Sequence, residues 1–264
     1  MSILPIIIAG VVVGCIGIIL GLFLGISGEK LAVETDPRIE EIEALLPGNN
    51  CGGCGYAGCS ALAKAIASGE ASPTQCPVGG EKTGDKIAAI MGVEASAKSV
   101  KKVAFVKCAG NCEKAQDHYE YTGIKDCAAM AYVPGKGEKA CNYGCLGYGN
   151  CVKACPFDAI CIIDGIAVVN PTLCRACGRC LEACPRGLIE LVPYDAAHLV
   201  QCNSRDKGPT VMKVCSVGCI GCRICEKNCP EDAIHVVDNL AHIDQDKCTG
   251  CGICAEKCPK KTIM

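Results

Sequence analysis

Cysteines recur at short, fixed intervals in the last part of the chain. Residues 248–259 read CTGCGICAEKCP, and a run with the same spacing, C-x2-C-x2-C-x3-C-P, occupies residues 219–230. Soft thiolates at this spacing are typical ligands of iron–sulfur clusters, because three on one tight loop bind one cluster and the fourth binds its neighbour. The predicted ligand sets are Cys219, Cys222, Cys225 and Cys258 for one [4Fe–4S] cluster and Cys248, Cys251, Cys254 and Cys229 for the other.

The same pattern occurs once more, 74 residues earlier in the chain. The tripeptide Asp158-Ala159-Ile160 of this earlier region recurs as Asp232-Ala233-Ile234 in the later one. The two regions are therefore predicted to be duplicates of a bacterial two-cluster ferredoxin module. Short strands turned at Asp164-Gly165 and Asp238-Asn239 are expected between the cysteine runs. In the first module, one cluster is predicted to be bound by Cys155, Cys174, Cys177 and Cys180.

One position breaks the repeat, because Tyr148 stands where the second module has Cys222. Cys141 lies four residues before Cys145 and is the substitute that the spacing offers. The predicted set for this cluster is Cys141, Cys145, Cys151 and Cys184.

A different cysteine cluster precedes the modules, in the glycine-rich stretch CGGCGYAGC and a later Cys-Pro. Four thiolates also suit zinc, but this spacing is not that of a zinc ribbon, and glycine lets backbone amides approach cluster sulfurs. We predict a further [4Fe–4S] cluster bound by Cys51, Cys54, Cys59 and Cys76.

Three more thiols, Cys108, Cys112 and Cys127, lie between this region and the modules. They are candidates for an additional cluster whose fourth ligand is Cys141 or another thiol. If Cys141 binds this additional cluster, the cluster beside Tyr148 lacks one ligand. We therefore expect five clusters, or six if a fourth thiol completes the ligands of this group. The remaining cysteines are interpreted as free thiols: Cys15, Cys161, Cys202 and Cys215.

Residues Ile3 to Ile26 contain no charged side chain. A helix of this length measures roughly 36 Å, which exceeds a hydrocarbon core of about 30 Å. A signal peptide is the competing interpretation, but it would need a basic residue before the apolar stretch and a shorter apolar region. The sequence therefore predicts a single N-terminal membrane span, with the cluster domains on the cytoplasmic side.

Composition limits the rest of the fold. The chain has 264 residues, 27 cysteines, three phenylalanines, no tryptophan and a net charge of −2. Small units stabilised by metal therefore fit better than one large core, and no basic patch indicates a nucleic-acid partner. The predicted class is α+β: a transmembrane helix, a small Fe–S domain and two tandem 2[4Fe–4S] ferredoxin-like modules. The predicted boundaries are 1–28 anchor, 29–90 N-terminal cluster domain, 91–140 connecting region, 141–190 first module, 191–214 linker and 215–264 second module.

Together, the apolar anchor, the acidic helix after it, CGGCGYAGC and the ferredoxin runs resemble the B subunit of the Rnf complex. The resemblance implies a subunit of an ion-translocating ferredoxin:NAD+ oxidoreductase, with reduced ferredoxin and other membrane subunits as partners. It also implies electron transfer from the ferredoxin modules to the N-terminal cluster, with Na+ or H+ moved by the complex. Many relatives carry one ferredoxin module, whereas this chain carries two.

The sequence shows no catalytic triad, phosphate loop or dinucleotide fingerprint, so no hydride-transfer site is expected in this chain. Two rivals remain open at this point. One is an electron-transfer subunit of a membrane hydrogenase or another reductase, although generic polyferredoxins lack the CGGCGYAGC block. The other is a structural zinc scaffold.

Overall fold

The computed structural model describes residues 4–30, 36–93 and 100–264. Helix α1, Leu4–Lys30, covers the apolar N-terminal segment, and its side chains from Val13 to Ile26 are exposed. Among the residues whose side chains are described, no helix is both long and apolar enough to cross a membrane. The N-terminal span therefore stays a prediction.

The N-terminal cluster domain consists of three helices: α2 (Pro37–Leu45), α3 (Cys59–Ala67) and α4 (Gly80–Met91). Asp36 begins α2, because its side chain accepts a 2.9 Å hydrogen bond from the amide of Arg38. Apolar residues at helical spacing bring the three helices together around Ile42, Leu62, Ile66 and Ile87, each at most 1 % exposed. This core supports the loop that carries Cys51 and Cys54.

The first module is a small sheet-and-helix unit. Strand β1 (Lys102–Val106) pairs antiparallel with β4 (Ile189–Pro193), and β2 (Ile160–Ile163) forms a hairpin with β3 (Ile166–Val169). Two short helices, α5 (Asn150–Lys153) and α6 (Arg179–Glu182), follow the cysteine loops. Two 3-10 turns, Ala129–Tyr132 and Pro134–Lys136, lie between β1 and the first of these loops.

The predicted hairpin turn is confirmed. Asp164 and Gly165 both have positive φ, 48° and 76°, as a tight two-residue turn requires. Strand β1 belongs to the predicted connecting region, yet it pairs along its length with β4. The first module therefore uses a strand contributed from well before Cys141.

The second module repeats this design with α8 (Ile224–Lys227), β5 (Ile234–Val237), β6 (Leu240–Ile243) and α9 (Ile253–Lys257). Helix α7 (Gly208–Val214) precedes it. A bridge between Val200 and Ile263 closes this module as β1 and β4 close the first. The predicted turn is again present, with Asp238 and Asn239 at φ 49° and 63°.

Each module has its own small hydrophobic core, and cysteines form part of both. Ile160, Leu188 and Ile189 pack with Cys145, Cys151, Cys174 and Cys180 in the first. Ile234 and Leu240 pack with Cys225 and Cys254 in the second. The mixed helix-and-strand class predicted from the sequence is confirmed, and the cores end directly at the cysteine loops.

Candidate metal centres

Five cavities in the modules are each lined by four cysteines. Within the described residues, no three His, Cys, Asp or Glu side chains converge tightly enough to hold a single metal ion. The thiols are spread around the cavity walls. The first module has the sets Cys155, Cys174, Cys177, Cys180 and Cys127, Cys145, Cys151, Cys184. The second module has the sets Cys219, Cys222, Cys225, Cys258 and Cys229, Cys248, Cys251, Cys254. The fifth set, at the interface of the two modules, is Cys108, Cys141, Cys202 and Cys215.

The N-terminal domain supplies a further set: Cys51 and Cys54 lie on its glycine-rich loop, Cys59 begins α3, and Cys76 lies in the segment between α3 and α4. The side chain of Asn50 accepts a 2.8 Å hydrogen bond from the amide of Cys59, which fixes the loop to the helix. Burial raises the pKa of Cys76, and the nearby thiols of Cys54 and Cys59 raise it further. Three of the four thiols predicted from the sequence, Cys54, Cys59 and Cys76, thus pack against the same hydrophobic core.

Backbone amides point at the sulfurs of all six sets. Such N–H···S bonds stabilise thiolates and tune the potential of a bound cluster. They measure 3.3–3.5 Å, and the accepting sulfurs are those of Cys76, Cys108, Cys145, Cys174, Cys184, Cys202, Cys229 and Cys258. The donor chemistry of these loops therefore fits anionic iron–sulfur groups.

Three of these bonds are equivalent. In three Cys-Pro pairs the cysteine sulfur accepts a bond from the amide four residues later: the acceptors are Cys184, Cys229 and Cys258, and the donors are Leu188, Ala233 and Thr262. The proline prevents the loop from continuing as a helix, and the chain turns back over the sulfur. The fourth cysteine of each run is thereby held against the neighbouring set, as the motif predicts.

Burial dominates the electrostatics of the thiols. It raises the pKa of Cys180 to about 12 and those of Cys151 and Cys225 to about 11. For Cys225 the neighbouring thiols Cys219, Cys222 and Cys258, which are the other members of its set, raise the pKa as well. A metal removes this penalty because coordination deprotonates a thiol outright.

One predicted set differs from the arrangement in the structure. Cys141 was expected beside Cys145, Cys151 and Cys184, but the thiol that lines their cavity is Cys127. The amide of Cys127 donates to Asn150 at 3.0 Å, and Asn150 also holds Asp126 at 3.0 Å. A distant loop thus carries the fourth thiol into the module, a placement that spacing along the chain does not reveal.

Tyr148 occupies the position where the repeat lacks a cysteine. Its hydroxyl is buried without a hydrogen-bond partner in the described part of the chain, and burial raises its pKa. The backbone of this loop keeps the fold of the second module, since Gly147 and Gly221 both have positive φ, 77° and 64°. The substitution therefore removes a thiol from this position and leaves the loop path intact.

The group Cys108, Cys112 and Cys127 is not brought together. Cys112 is exposed and donates to the carbonyl oxygen of Asp164 at 3.1 Å, away from any cavity described here. The sequence interpretation missed Cys202 and Cys215, which line the interface cavity with Cys108 and Cys141. The available signal was the 74-residue repeat, which pairs Cys141 with Cys215.

Comparison with protein families agrees with this geometry. Residues 46–78 match the family described as "Putative Fe-S cluster", and residues 173–233 and 218–262 match "4Fe-4S dicluster domain". Fold and cysteine sets together define an iron–sulfur protein of the ferredoxin type that holds multiple [4Fe–4S] clusters.

Similar proteins from three organisms identify the family. The chain is 46% identical over 237 residues to the B subunit of the Na(+)-translocating ferredoxin:NAD(+) oxidoreductase complex of Acetobacterium woodii, covering 89% of this chain and 71% of that protein. It is 44% identical to the B subunit of the ion-translocating oxidoreductase complex of Methanosarcina acetivorans, covering 88% of each. It is 43% identical to the B subunit of the proton-translocating ferredoxin:NAD(+) oxidoreductase complex of Clostridium ljungdahlii, covering 89% and 83%. The chain belongs to the family of B subunits of Rnf-type complexes.

Proposed function

We propose that this chain accepts electrons from reduced ferredoxin and passes them to other subunits of an Rnf-type complex, which couples ferredoxin:NAD+ oxidoreduction to Na+ or H+ translocation. The observation that carries the proposal is the set of four-thiol sites along the chain, in a protein of the B-subunit family. Bound [4Fe–4S] clusters supply single-electron transfer. Hydride transfer to NAD+ is assigned to another subunit.

The residues of the chain determine how such groups are held. We infer that the sets of the second module bind as the sequence predicts, and that Cys127 completes the set of Cys145, Cys151 and Cys184. Peptide amides on the sulfurs stabilise the thiolate form, and small apolar cores exclude water from one side of each loop. The N-terminal set binds a cluster in the same way.

We propose that helix α1 anchors the chain in the cell membrane by a single span, with the cluster domains on the cytoplasmic side. The support is the uncharged sequence from Ile3 to Ile26 and the exposure of its apolar side chains, such as Phe23 and Leu24 at 66% and 67%. Removal of residues 1–28 should move the rest of the chain to the soluble fraction. Continued sedimentation with membranes would contradict the anchor.

A direct test of the electron-transfer proposal uses the full chain purified without oxygen. Iron and sulfide analysis should give about 24 iron atoms per chain if six [4Fe–4S] clusters bind. Reduced ferredoxin should reduce these clusters on a stopped-flow timescale, with the bleaching of the chain measured after subtraction of the rise that accompanies ferredoxin reoxidation. A colourless protein with stoichiometric zinc, or clusters that ferredoxin does not reduce, would refute the proposed function.

A further inference from the structure

We propose that Cys108, Cys141, Cys202 and Cys215 bind a further [4Fe–4S] cluster at the interface of the two ferredoxin modules, with two ligands from each module. This inference deepens the electron-transfer function proposed above and rests on it for its biological meaning. Its ligand assignment stands on the geometry of these four residues alone. Neither the matched dicluster domains nor the Fe–S cluster family covers Cys108 or Cys141.

The four cysteines occupy equivalent positions of the duplicated fold. Val106 pairs with Ile189 in the first module and Val200 with Ile263 in the second. The amide of Lys107 donates to Leu188 O at 2.8 Å, and that of Gln201 donates to Thr262 O at 2.8 Å. Each strand is followed by a cysteine, Cys108 in one module and Cys202 in the other.

The second pair of ligands is equivalent as well. Cys141 and Cys215 each precede the first cysteine of their module, Cys145 or Cys219, by four residues. Glycines three residues after them face the sulfurs in the same manner. A Cβ on Gly144 would lie 3.6 Å from Cys141 Sγ, and one on Gly218 would lie 3.7 Å from Cys215 Sγ. The two halves of the site are therefore built from equivalent positions of the duplicated fold.

Backbone contacts between the modules hold the two halves together. The amide of Ala109 donates to Gln201 O at 3.1 Å, and the amide of Gln116 donates to Val214 O at 2.9 Å. Gly110 lies so close that an added Cβ would be 3.3 Å from Cys215 Sγ and 3.8 Å from Cys108 Sγ. Gly110 of the first module thus faces one thiol from each of the two modules.

Donors and positive charge around the cavity match an anionic cluster. Cys108 Sγ accepts from the amide of Cys145 at 3.3 Å, and Cys202 Sγ accepts from the amide of Ser204 at 3.5 Å. Lys139 lines the same cavity and is only 6% exposed. Its ammonium donates to Gly110 O and Cys145 O, both at 2.8 Å. A buried ammonium needs a compensating negative charge, which a cluster held by four thiolates provides.

The neighbours of the interface site indicate its role in electron transfer. The amide of Cys145 donates to Cys108, and Gly218, which lines the interface cavity, directly precedes Cys219 of a second-module set, so the site adjoins one cysteine set of each module. At the other end of the first module, a Cβ on Gly53 would lie 2.7 Å from Cys177 O, so the N-terminal loop touches that module. The interface set thus lies between a set of the first module and a set of the second, and a bound cluster there would supply single-electron transfer between the modules.

The test is an iron and sulfide count on anaerobically purified full-length variants. C108A/C141A and C202A/C215A should each lose about four of the iron atoms of the parent chain. The quadruple variant should lose about four as well, because all four thiols serve one site. C112A and C161A are matched controls, because both thiols are exposed and outside every set, and they should keep the full count.

Several results would overturn the assignment. One is full iron retention in both double variants, and another is a loss of about eight in the quadruple variant, which would mean separate sites. If the alanine variants lose all structure, C202S decides: a change confined to one electron paramagnetic resonance component supports the site, and an unchanged spectrum refutes it. A parent chain whose clusters ferredoxin cannot reduce would refute the function, while the iron counts would still decide the ligands.

Discussion

The backbone amide of Cys145 donates a 3.3 Å hydrogen bond to the sulfur of Cys108, although the two cysteines line different cavities. The loop that carries Cys145 in one cavity therefore forms part of the wall of the next. In the second module, Gly218 lines the same interface cavity as Cys202 and directly precedes Cys219, which lines the next cavity. Peptide groups shared between neighbouring sets keep the sites of such a chain at short, fixed separations.

Lys139 is expected to raise the reduction potentials of the clusters nearest to it. It is buried between two cysteine sets and donates to carbonyls of both surrounding loops. Because a positive charge favours the more negative, reduced state, Lys139→Met should shift one or two potentials downward by an amount on the order of tens of millivolts. Potentiometric titration followed by electron paramagnetic resonance measures the shift.

The chain offers a matched control for this experiment. Lys213 lies 74 residues after Lys139 in the repeat and is exposed, so Lys213→Met should leave all potentials unchanged. Equal shifts in both variants would mean that the effect is general surface charge. No shift in Lys139→Met would refute the electrostatic role.

Cys127 is expected to be the ligand that replaces the missing cysteine at Tyr148. Cys127→Ala should lose between one and about four iron atoms and one resonance component, because its cavity then has three thiols. Tyr148→Cys in the same chain should restore part of the loss, since Cys222 lines its cavity from this position in the second module. A full iron count in Cys127→Ala would contradict the assignment.

The tight contact between Gly53 and Cys177 is expected to set the distance between the N-terminal domain and the first module. Any larger side chain at Gly53 would collide with the carbonyl of Cys177, at 2.7 Å from a Cβ. Gly53→Val should keep the iron count but slow electron transfer to the N-terminal cluster, as observed by stopped-flow spectroscopy. Ser60→Ala, an exposed change in the same domain, is the control and should behave as the parent. An unchanged rate in Gly53→Val would show that the contact does not set this distance.

The sequence predicted the sets whose thiols lie mostly within one loop, because residues that are close along the chain are then also close in space. The runs that start at Cys219 and Cys248 are of this kind, and the structure gathers each with the partner expected from the motif. The hairpins at Asp164 and Asp238 follow for the same reason, since a two-residue turn is local.

Thiols that reach a set from separate segments of the chain could not be predicted from cysteine spacing. Cys127 enters its cavity through hydrogen bonds of Asn150 that span more than twenty positions. The equivalence of Cys108 and Cys202 is hidden as well, because they lie 94 residues apart while the rest of the repeat is offset by 74. It becomes visible only through strand pairing, Val106 with Ile189 and Val200 with Ile263.

Removal of the clusters is expected to unfold the modules. Their cores are small and are completed by the cysteines themselves, with Cys225 and Cys254 packed against Ile234 and Leu240 in the second module. Buried thiols whose pKa values lie near 11 or 12 would stay protonated without metal, and the loops would lose the bonds that hold them around each cavity. Oxidation in the presence of a chelator should therefore abolish cooperative thermal unfolding, as followed by circular dichroism.

The N-terminal cluster domain is an internal control for this unfolding experiment. Its helices α2, α3 and α4 share a core whose buried members, such as Ile42, Leu62 and Ile87, include no cysteine, although Cys54, Cys59 and Cys76 pack against its edge. Helical signal from this domain should therefore persist longest. A cluster-free chain that still melts cooperatively, with an unchanged midpoint, would show that the modules fold without their metal.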